Sequence, residues 1–142
     1  MREPALPTLK LREDVSSAPS AAFGRGGVTR IGAALVNTIR GLREGVATEA
    51  AIKQEVAMTV VAVPISLFVA QSVWIWVALI ASLLLVLLVE FFNTAVERLC
   101  DHMHPDRHDA IRVVKDLASA SVFFALALAA LVWLAAIWVR LM

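Results

Sequence analysis

A carboxylate stands where a membrane helix should carry none, because Glu90 ends the uncharged run 56–89. A charged side chain in the middle of a membrane helix costs about 2.5–3.5 kcal/mol on insertion scales, so it persists where it faces a polar interior or takes part in chemistry. At about 100° per residue, Glu90, Asn93 and Glu97 fall on one helix face. This face therefore predicts a metal-binding or proton-transferring site. The alternatives are helix pairing or snorkelling for Glu90 and an ordinary solvated acid for Glu97.

The composition predicts that an all-α integral membrane protein positions these groups. The chain has 142 residues, of which 60% are hydrophobic, and its mean hydropathy is +0.78. A soluble domain of this size could not bury so much apolar surface. The run 56–89 is too long for one crossing of about 20 residues. We therefore expect three spans at about 48–69, 74–97 and 117–139, with an external turn at 70–73.

The distribution of basic residues predicts the orientation. Basic residues before or at the start of the first span and between the second and third spans include Arg25, Arg30, Arg40, Arg43, Lys53, Arg98, Arg107, Arg112 and Lys115. The positive-inside rule then places the N-terminus and the long loop in the cytoplasm and Met142 outside. The net charge of +1 gives no indication of nucleic-acid binding.

The N-terminal third divides into two parts. Residues 1–27 mix Pro, Ala, Ser and charges without an apolar core, which predicts a disordered tail. Residues 28–47 place apolar side chains at steps of three and four, which predicts an amphipathic helix lying on the cytoplasmic membrane surface, or alternatively packed on a partner protein. Continuing this helix would turn Glu49 and Lys53 towards the apolar stripe. A break near Gly45, or a polar bundle interior, would resolve that conflict.

The loop after the second span predicts no zinc site, since the Cys-x-His-x-His spacing from Cys100 is not that of an established zinc finger. Lys115 and Asp116 either mark the cytoplasmic side of the membrane or bind anionic phosphate groups.

Phosphoryl transfer needs Mg²⁺, cationic groups and a carboxylate that orients or deprotonates the attacking hydroxyl. Glu90 is the deeper acid, as a base for a lipid hydroxyl should be, and Glu97 is the shallower, as a ligand for a nucleotide-bound metal should be.

Three ordered motifs resemble those of the small prokaryotic integral-membrane diacylglycerol kinases. Residues 90–97 (EFFNTAVE) are similar to the family's E-x-x-N-[ST]-A-x-E signature. Residues 49–55 (EAAIKQE) are similar to its E-x-A-x-[KR]-Q-E stretch, and residues 115–120 (KDLASA) to its K-D-x-x-S-A opening of the third span. The resemblance covers residues 28–142.

The resemblance implies an ATP:lipid phosphotransferase of the bacterial inner membrane that makes phosphatidic acid as a homotrimer with shared sites. It implies that Glu90 is the catalytic base, that Glu49 and Glu97 are Mg²⁺ ligands, and that Asn93 supports them. The implied nucleotide-binding residues are Arg30, Asn37, Glu49, Glu97, Asp106, Arg107, His108, Lys115 and Asp116. The implied lipid-binding residues are Arg30, Leu35, Thr38, Ile39, Arg40, Glu55, Glu90 and Ser119.

The chain departs from the family pattern at two places. Residues 37–39 (Asn-Thr-Ile) stand where some relatives carry an aromatic-rich Tyr-Ser-Trp, so aromatic packing on nucleotide or lipid is not implied here. Ala118 replaces a common glycine, which slightly tightens a close backbone approach.

The alternative functions are an undecaprenol kinase and, in a different class, a small oligomeric transporter subunit with an ion site at Glu90. The transporter hypothesis leaves Lys115, Asp116 and Glu49 unexplained.

Overall fold

The computed structural model describes residues 27–103 and 109–142, which form four helices. These are α1 (Gly27–Thr48), α2 (Ala50–Val69), α3 (Val73–Met103) and α4 (Asp109–Leu141). The predicted all-α fold is confirmed. The predicted tail, apart from Gly27, and the predicted nucleotide contacts at 106–108 lie outside the described residues. Residues 27–38 and residues 39–142 belong to separate compact units and are described separately.

Three of the four helices in the described part of the chain, α2, α3 and α4, are long and apolar enough to cross a membrane. This confirms the prediction of three helices able to span a membrane, and two of these helices extend further than the predicted spans. α3 continues past Glu97 to Met103, and α4 begins at Asp109. Charged residues are tolerated in these extensions because a helix end outside the hydrocarbon layer is solvated. In α4, the helix dipole also stabilises an acid in the first turn.

The turn between α2 and α3 lies at 70–72, as predicted. The N–H of Ala70 donates to the Ser66 carbonyl at 2.9 Å and closes the last turn of α2. The Ser72 hydroxyl accepts a hydrogen bond from the N–H of Ile75 at 3.3 Å, the contact of a helix N-cap. A two-helix hairpin with its own caps therefore replaces a single long span.

The core of the bundle lies mainly between α3 and α4. One stripe of α3 runs from Leu79 to Cys100 at steps of three and four residues; it is half-buried at Glu97 and buried at its other positions, which include Glu90 and Asn93. The facing positions on α4 are small, Ala125 and Ala129, and they pack on Val86. Small side chains let two membrane helices approach closely. The same packing therefore fixes the helix face that carries the polar residues.

The junction between α1 and α2 lies at Glu49, one or two residues after the boundary expected between 47 and 48 and about one turn after Gly45, the position of one of the two proposed resolutions. Glu49 has an extended backbone, with φ −107° and ψ 121°. α1 continues through Gly45, and that residue is packed against α3: a Cβ there would lie 2.6 Å from Phe91 Cε1 and 3.1 Å from Ile52 Cδ1. Glycine therefore sets how closely the end of α1 approaches α3.

Candidate active site

The polar stripe of α3 forms the centre of the site. Glu90 and Asn93 are buried, with 6% and 9% of their surface exposed, and Glu97 is half-buried one turn further on. The Asn93 Nδ2 group donates a hydrogen bond to Glu97 Oε1 at 3.2 Å. Asn93 Oδ1 is buried and has no hydrogen-bond partner in the described part of the chain. The amide thus orients Glu97 and leaves one oxygen available to a ligand.

The packing of α2 and of the α1–α2 junction adds two further carboxylates. Glu90 interacts electrostatically with both Glu97 and Glu49, and Glu55 interacts with Glu90. We call Glu49, Glu55, Glu90 and Glu97, together with Asn93, the acidic cluster. Glu55 Oε2 is a second buried oxygen with no hydrogen-bond partner among residues 27–103 and 109–142. Binding of a cation would reduce the electrostatic repulsion among these carboxylates.

The donor set of the acidic cluster suits Mg²⁺ with additional ligands from a substrate. Within the described residues, no group of three or more His, Cys, Asp or Glu side chains is arranged to hold a metal on its own. Mg²⁺ is commonly bound by one or two carboxylates, with waters and substrate phosphates completing its six positions. The cluster supplies hard oxygen donors, and the unpaired Asn93 Oδ1 lies beside Glu97.

A cationic group lies on the side of the cluster that carries Glu97. Lys115 Nζ forms an ion pair with Asp101 Oδ1 at 2.6 Å, and its charge also interacts with Glu97. Asp116 instead accepts a hydrogen bond from Arg112 Nη1 at 2.8 Å within α4. The structure therefore brings Lys115, but not Asp116, into electrostatic contact with the acidic cluster.

Arg98 connects the cluster to the α1–α2 junction. Its Nε and Nη2 groups donate to Glu49 Oε1 at 3.2 and 2.8 Å. Nη1 donates to Glu44 Oε1 at 3.4 Å, and Nη2 also donates to the Thr48 hydroxyl. One guanidinium on α3 thus holds the last turn of α1 and the carboxylate that follows it.

The residues of α1 that were predicted to bind the lipid or the nucleotide have exposed side chains. Arg30, Leu35, Asn37 and Thr38 belong to the compact unit that ends at Thr38, and all four are exposed. Ile39 and Arg40 are exposed on the second half of α1, and Ser119 is exposed on α4. These last three side chains make no hydrogen bond or ion pair within the described residues, so the structure does not bring them into the acidic cluster.

A cleft of about 390 Å³ lies between α2, α3 and α4 beside the acidic cluster. Its lining is almost entirely apolar, and Glu55 lines it directly. Trp133 also lines it, and the Trp133 Nε1 donor is buried with no hydrogen-bond partner in the described ranges. The cleft thus offers apolar contact together with a carboxylate that interacts with Glu90.

Sequence reasoning missed three residues of this site: Arg98, Asp101 and Glu44. Asp101 follows Glu97 by four residues, so extending the polar stripe by one turn would have found it. The distribution of basic residues predicts that Arg98 lies on the cytoplasmic side of the membrane, but it does not predict which residues Arg98 contacts. The role of this arginine depends on contacts between α3 and the end of α1, which helical periodicity does not predict.

Comparison with known proteins identifies the family. A family model described as prokaryotic diacylglycerol kinase matches residues 36–137. The diacylglycerol kinase of Escherichia coli K12 is 34% identical over 112 residues, which cover 79% of this chain and 92% of that protein. The Pseudomonas aeruginosa diacylglycerol kinase is 33% identical over 115 residues, covering 81% and 94%. The Haemophilus influenzae diacylglycerol kinase is 32% identical over 96 residues, covering 68% and 81%.

Proposed function

The chain belongs to the prokaryotic diacylglycerol kinase family, and we propose that it transfers the γ-phosphoryl group of ATP to the free hydroxyl of diacylglycerol, forming phosphatidic acid and ADP. The observation that carries this proposal is the position of Glu90. Its carboxylate is buried within a membrane helix, belongs to an acidic cluster, and interacts with Glu55, which lines an apolar cleft. A base for a lipid hydroxyl needs this combination of membrane depth and access to an apolar substrate.

In this proposal Glu90 accepts the proton of the lipid hydroxyl while the hydroxyl oxygen attacks the γ-phosphorus. The bond from the γ-phosphorus to the bridging oxygen breaks, and ADP leaves with that oxygen. The diacylglycerol chains occupy the cleft lined by Glu55 and Trp133, which would place the headgroup next to Glu90. Burial excludes water from the base and so favours transfer to the lipid over hydrolysis of ATP.

Glu49, Asn93 and Glu97 of the acidic cluster are proposed to bind the nucleotide through its metal. Glu49 and Glu97 would hold Mg²⁺, with Asn93 orienting Glu97 through the observed hydrogen bond. When bound, Mg²⁺ would neutralise charge on the phosphate oxygens. Lys115 supplies a second positive charge beside Glu97, suited to the γ-phosphate. Arg30, Asn37, Asp116 and the segment 106–108 are proposed nucleotide contacts on the family resemblance alone.

The proposed membrane orientation follows from the distribution of basic residues, and the proposed lipid contacts and oligomeric state follow from the family resemblance. The N-terminus and the loop between α3 and α4 face the cytoplasm, where ATP is available, and Met142 faces the periplasm. On the family resemblance alone, the proposed lipid contacts outside the acidic cluster are Arg30, Leu35, Thr38, Ile39, Arg40 and Ser119. A homotrimer with active sites shared between protomers is proposed on the family resemblance alone.

The test is lipid-dependent ATP turnover by purified protein in mixed micelles, with diacylglycerol, undecaprenol or no added lipid. We expect turnover with diacylglycerol, several orders of magnitude lower in Glu90→Gln, while the variant still folds and binds Mg-ATP. The Gln side chain keeps the shape and removes the base. Faster turnover with undecaprenol would reassign the lipid, substantial activity of Glu90→Gln would remove the base role, and no ATP turnover with either lipid would contradict a kinase.

A further inference from the structure

The carboxylate of Glu49 is held by another helix rather than by its own. Glu49 occupies the N-cap position of α2, yet its side chain makes no capping hydrogen bond to that helix. Instead its Oε1 accepts two hydrogen bonds from Arg98 of α3, at 2.8 and 3.2 Å. Oε2 takes part in neither bond. The extended backbone at Glu49 leaves several side-chain rotamers accessible, so Arg98 determines the one that is observed.

The other contacts of Arg98 fix the same junction from the α1 side. Its Nη2 donates to the Thr48 hydroxyl, which in turn donates to the Glu44 carbonyl at 2.9 Å. Its Nη1 reaches Glu44 Oε1 at 3.4 Å. A planar guanidinium that donates in three directions holds its partners at defined angles, which an ammonium group cannot do.

Stability alone is a poor explanation for this arrangement. The side chains of Arg98, Glu44 and Glu49 are 45%, 58% and 33% exposed, and ion pairs as exposed as these contribute little to folding. The location is more informative. Arg98 directly follows Glu97, so it sets Glu49 beside the helix that carries the other proposed metal ligand.

We propose that Arg98 is a positioning residue for phosphoryl transfer, whose guanidinium holds Glu49 Oε1 so that Oε2 remains available to the metal of the bound nucleotide. This inference rests on the proposed function, in which Glu49 and Glu97 are metal ligands. A partner that orients a ligand from outside the coordination sphere typically changes metal affinity about 10- to 100-fold when it is removed.

The test measures metal affinity directly, with Mn²⁺ as the probe. Binding of Mn²⁺ in the presence of a non-hydrolysable ATP analogue is followed by electron paramagnetic resonance on the full-length protein in micelles. The variants are Arg98→Ala, Arg98→Lys and Glu49→Gln, and the double variant Arg98→Ala with Glu49→Gln. The control is Arg43→Ala, which removes an equal charge from an exposed position on α1. Thermal unfolding verifies that each variant is folded.

We expect Arg98→Ala to weaken Mn²⁺ binding about 10- to 100-fold, Arg98→Lys to weaken it less, and Arg43→Ala to bind like the parent protein. In the Glu49→Gln background, Arg98→Ala should add little, because its effect acts through Glu49. Parent-like binding by Arg98→Ala, or a full additional loss in the double variant, would overturn the inference. If Arg98→Ala does not fold, parent-like binding by Arg98→Lys overturns it equally. A parent protein without lipid-dependent ATP turnover would instead refute the proposed function.

Discussion

The contact between Gly45 and Phe91 gives a prediction with a matched control in the same helix. Replacing Gly45 with alanine places a Cβ 2.6 Å from Phe91 Cε1 and 3.2 Å from Phe91 Cζ. An ordinary contact needs 3.4 Å or more, so the ring and the end of α1 have to separate. Gly41, one turn earlier on α1, is exposed, and a Cβ added there would have no neighbouring atom within 4 Å. The same substitution at Gly41 therefore introduces no overlap.

The two variants should therefore differ in stability. Gly41→Ala should stabilise by about 0.5–1 kcal/mol, because alanine has the higher helix propensity. Gly45→Ala gains the same propensity, but inserting a methyl group into a packed contact costs about 1–3 kcal/mol. The difference between the variants cancels the propensity term and isolates the contact. We expect Gly45→Ala to be less stable than Gly41→Ala by about 1–3 kcal/mol.

The assay is thermal unfolding in one detergent, combined with lipid-dependent ATP turnover. Activity should fall in Gly45→Ala and remain near the parent value in Gly41→Ala, because Phe91 adjoins the proposed base Glu90. Introducing Phe91→Leu should reduce the cost of Gly45→Ala, since the smaller side chain relieves the overlap. Equal unfolding temperatures for the two alanine variants, or no coupling with Phe91→Leu, would refute the close packing of α1 on α3.

Two further predictions concern the substrates. Lys115→Gln should raise the KM for ATP and lower kcat, because it removes the charge beside Glu97; Arg140→Gln, at the far end of α4, is the control, and an equal effect of both would argue against a specific role. Ala130→Trp places a large ring in the cleft, so the KM for lipid should rise several-fold while the KM for ATP is unchanged. Ala135→Trp lies on α4 outside the cleft lining, and an identical lipid KM for the two variants would show that the cleft does not hold the lipid.

The architecture can be predicted because hydrophobic length and charge determine it locally. The uncharged run 56–89 exceeds one crossing, and the polar pair Gln71-Ser72 marks the turn that the structure places at 70–72. The helix ends are less predictable. Nothing in the apolar pattern distinguishes the last turn of a span from a helical extension beyond the membrane, so the pattern predicts an end at Glu97 although α3 continues to Met103.

The site can be predicted where its residues share one helix and not where packing brings helices together. Glu90, Asn93 and Glu97 follow from helical periodicity, and the observed hydrogen bond between Asn93 and Glu97 joins residues four apart. The contact from Arg98 to Glu49 spans 49 positions in the sequence. It depends on the close approach of α1 to α3 at Gly45, which no local pattern encodes.

The charges of the site also explain why a metal-bound anion suits it better than a free ion would. Two cations of the site already pair with acids, Arg98 with Glu49 and Lys115 with Asp101, while Glu90 has electrostatic contact with two further carboxylates. A cation alone would reduce the repulsion among the carboxylates, but Lys115 would remain in its ion pair with Asp101. An anion alone would be repelled by the carboxylates. In the proposed function a metal–nucleotide complex would satisfy both conditions, because the carboxylates would hold its metal and Lys115 would pair with its phosphates instead of with Asp101.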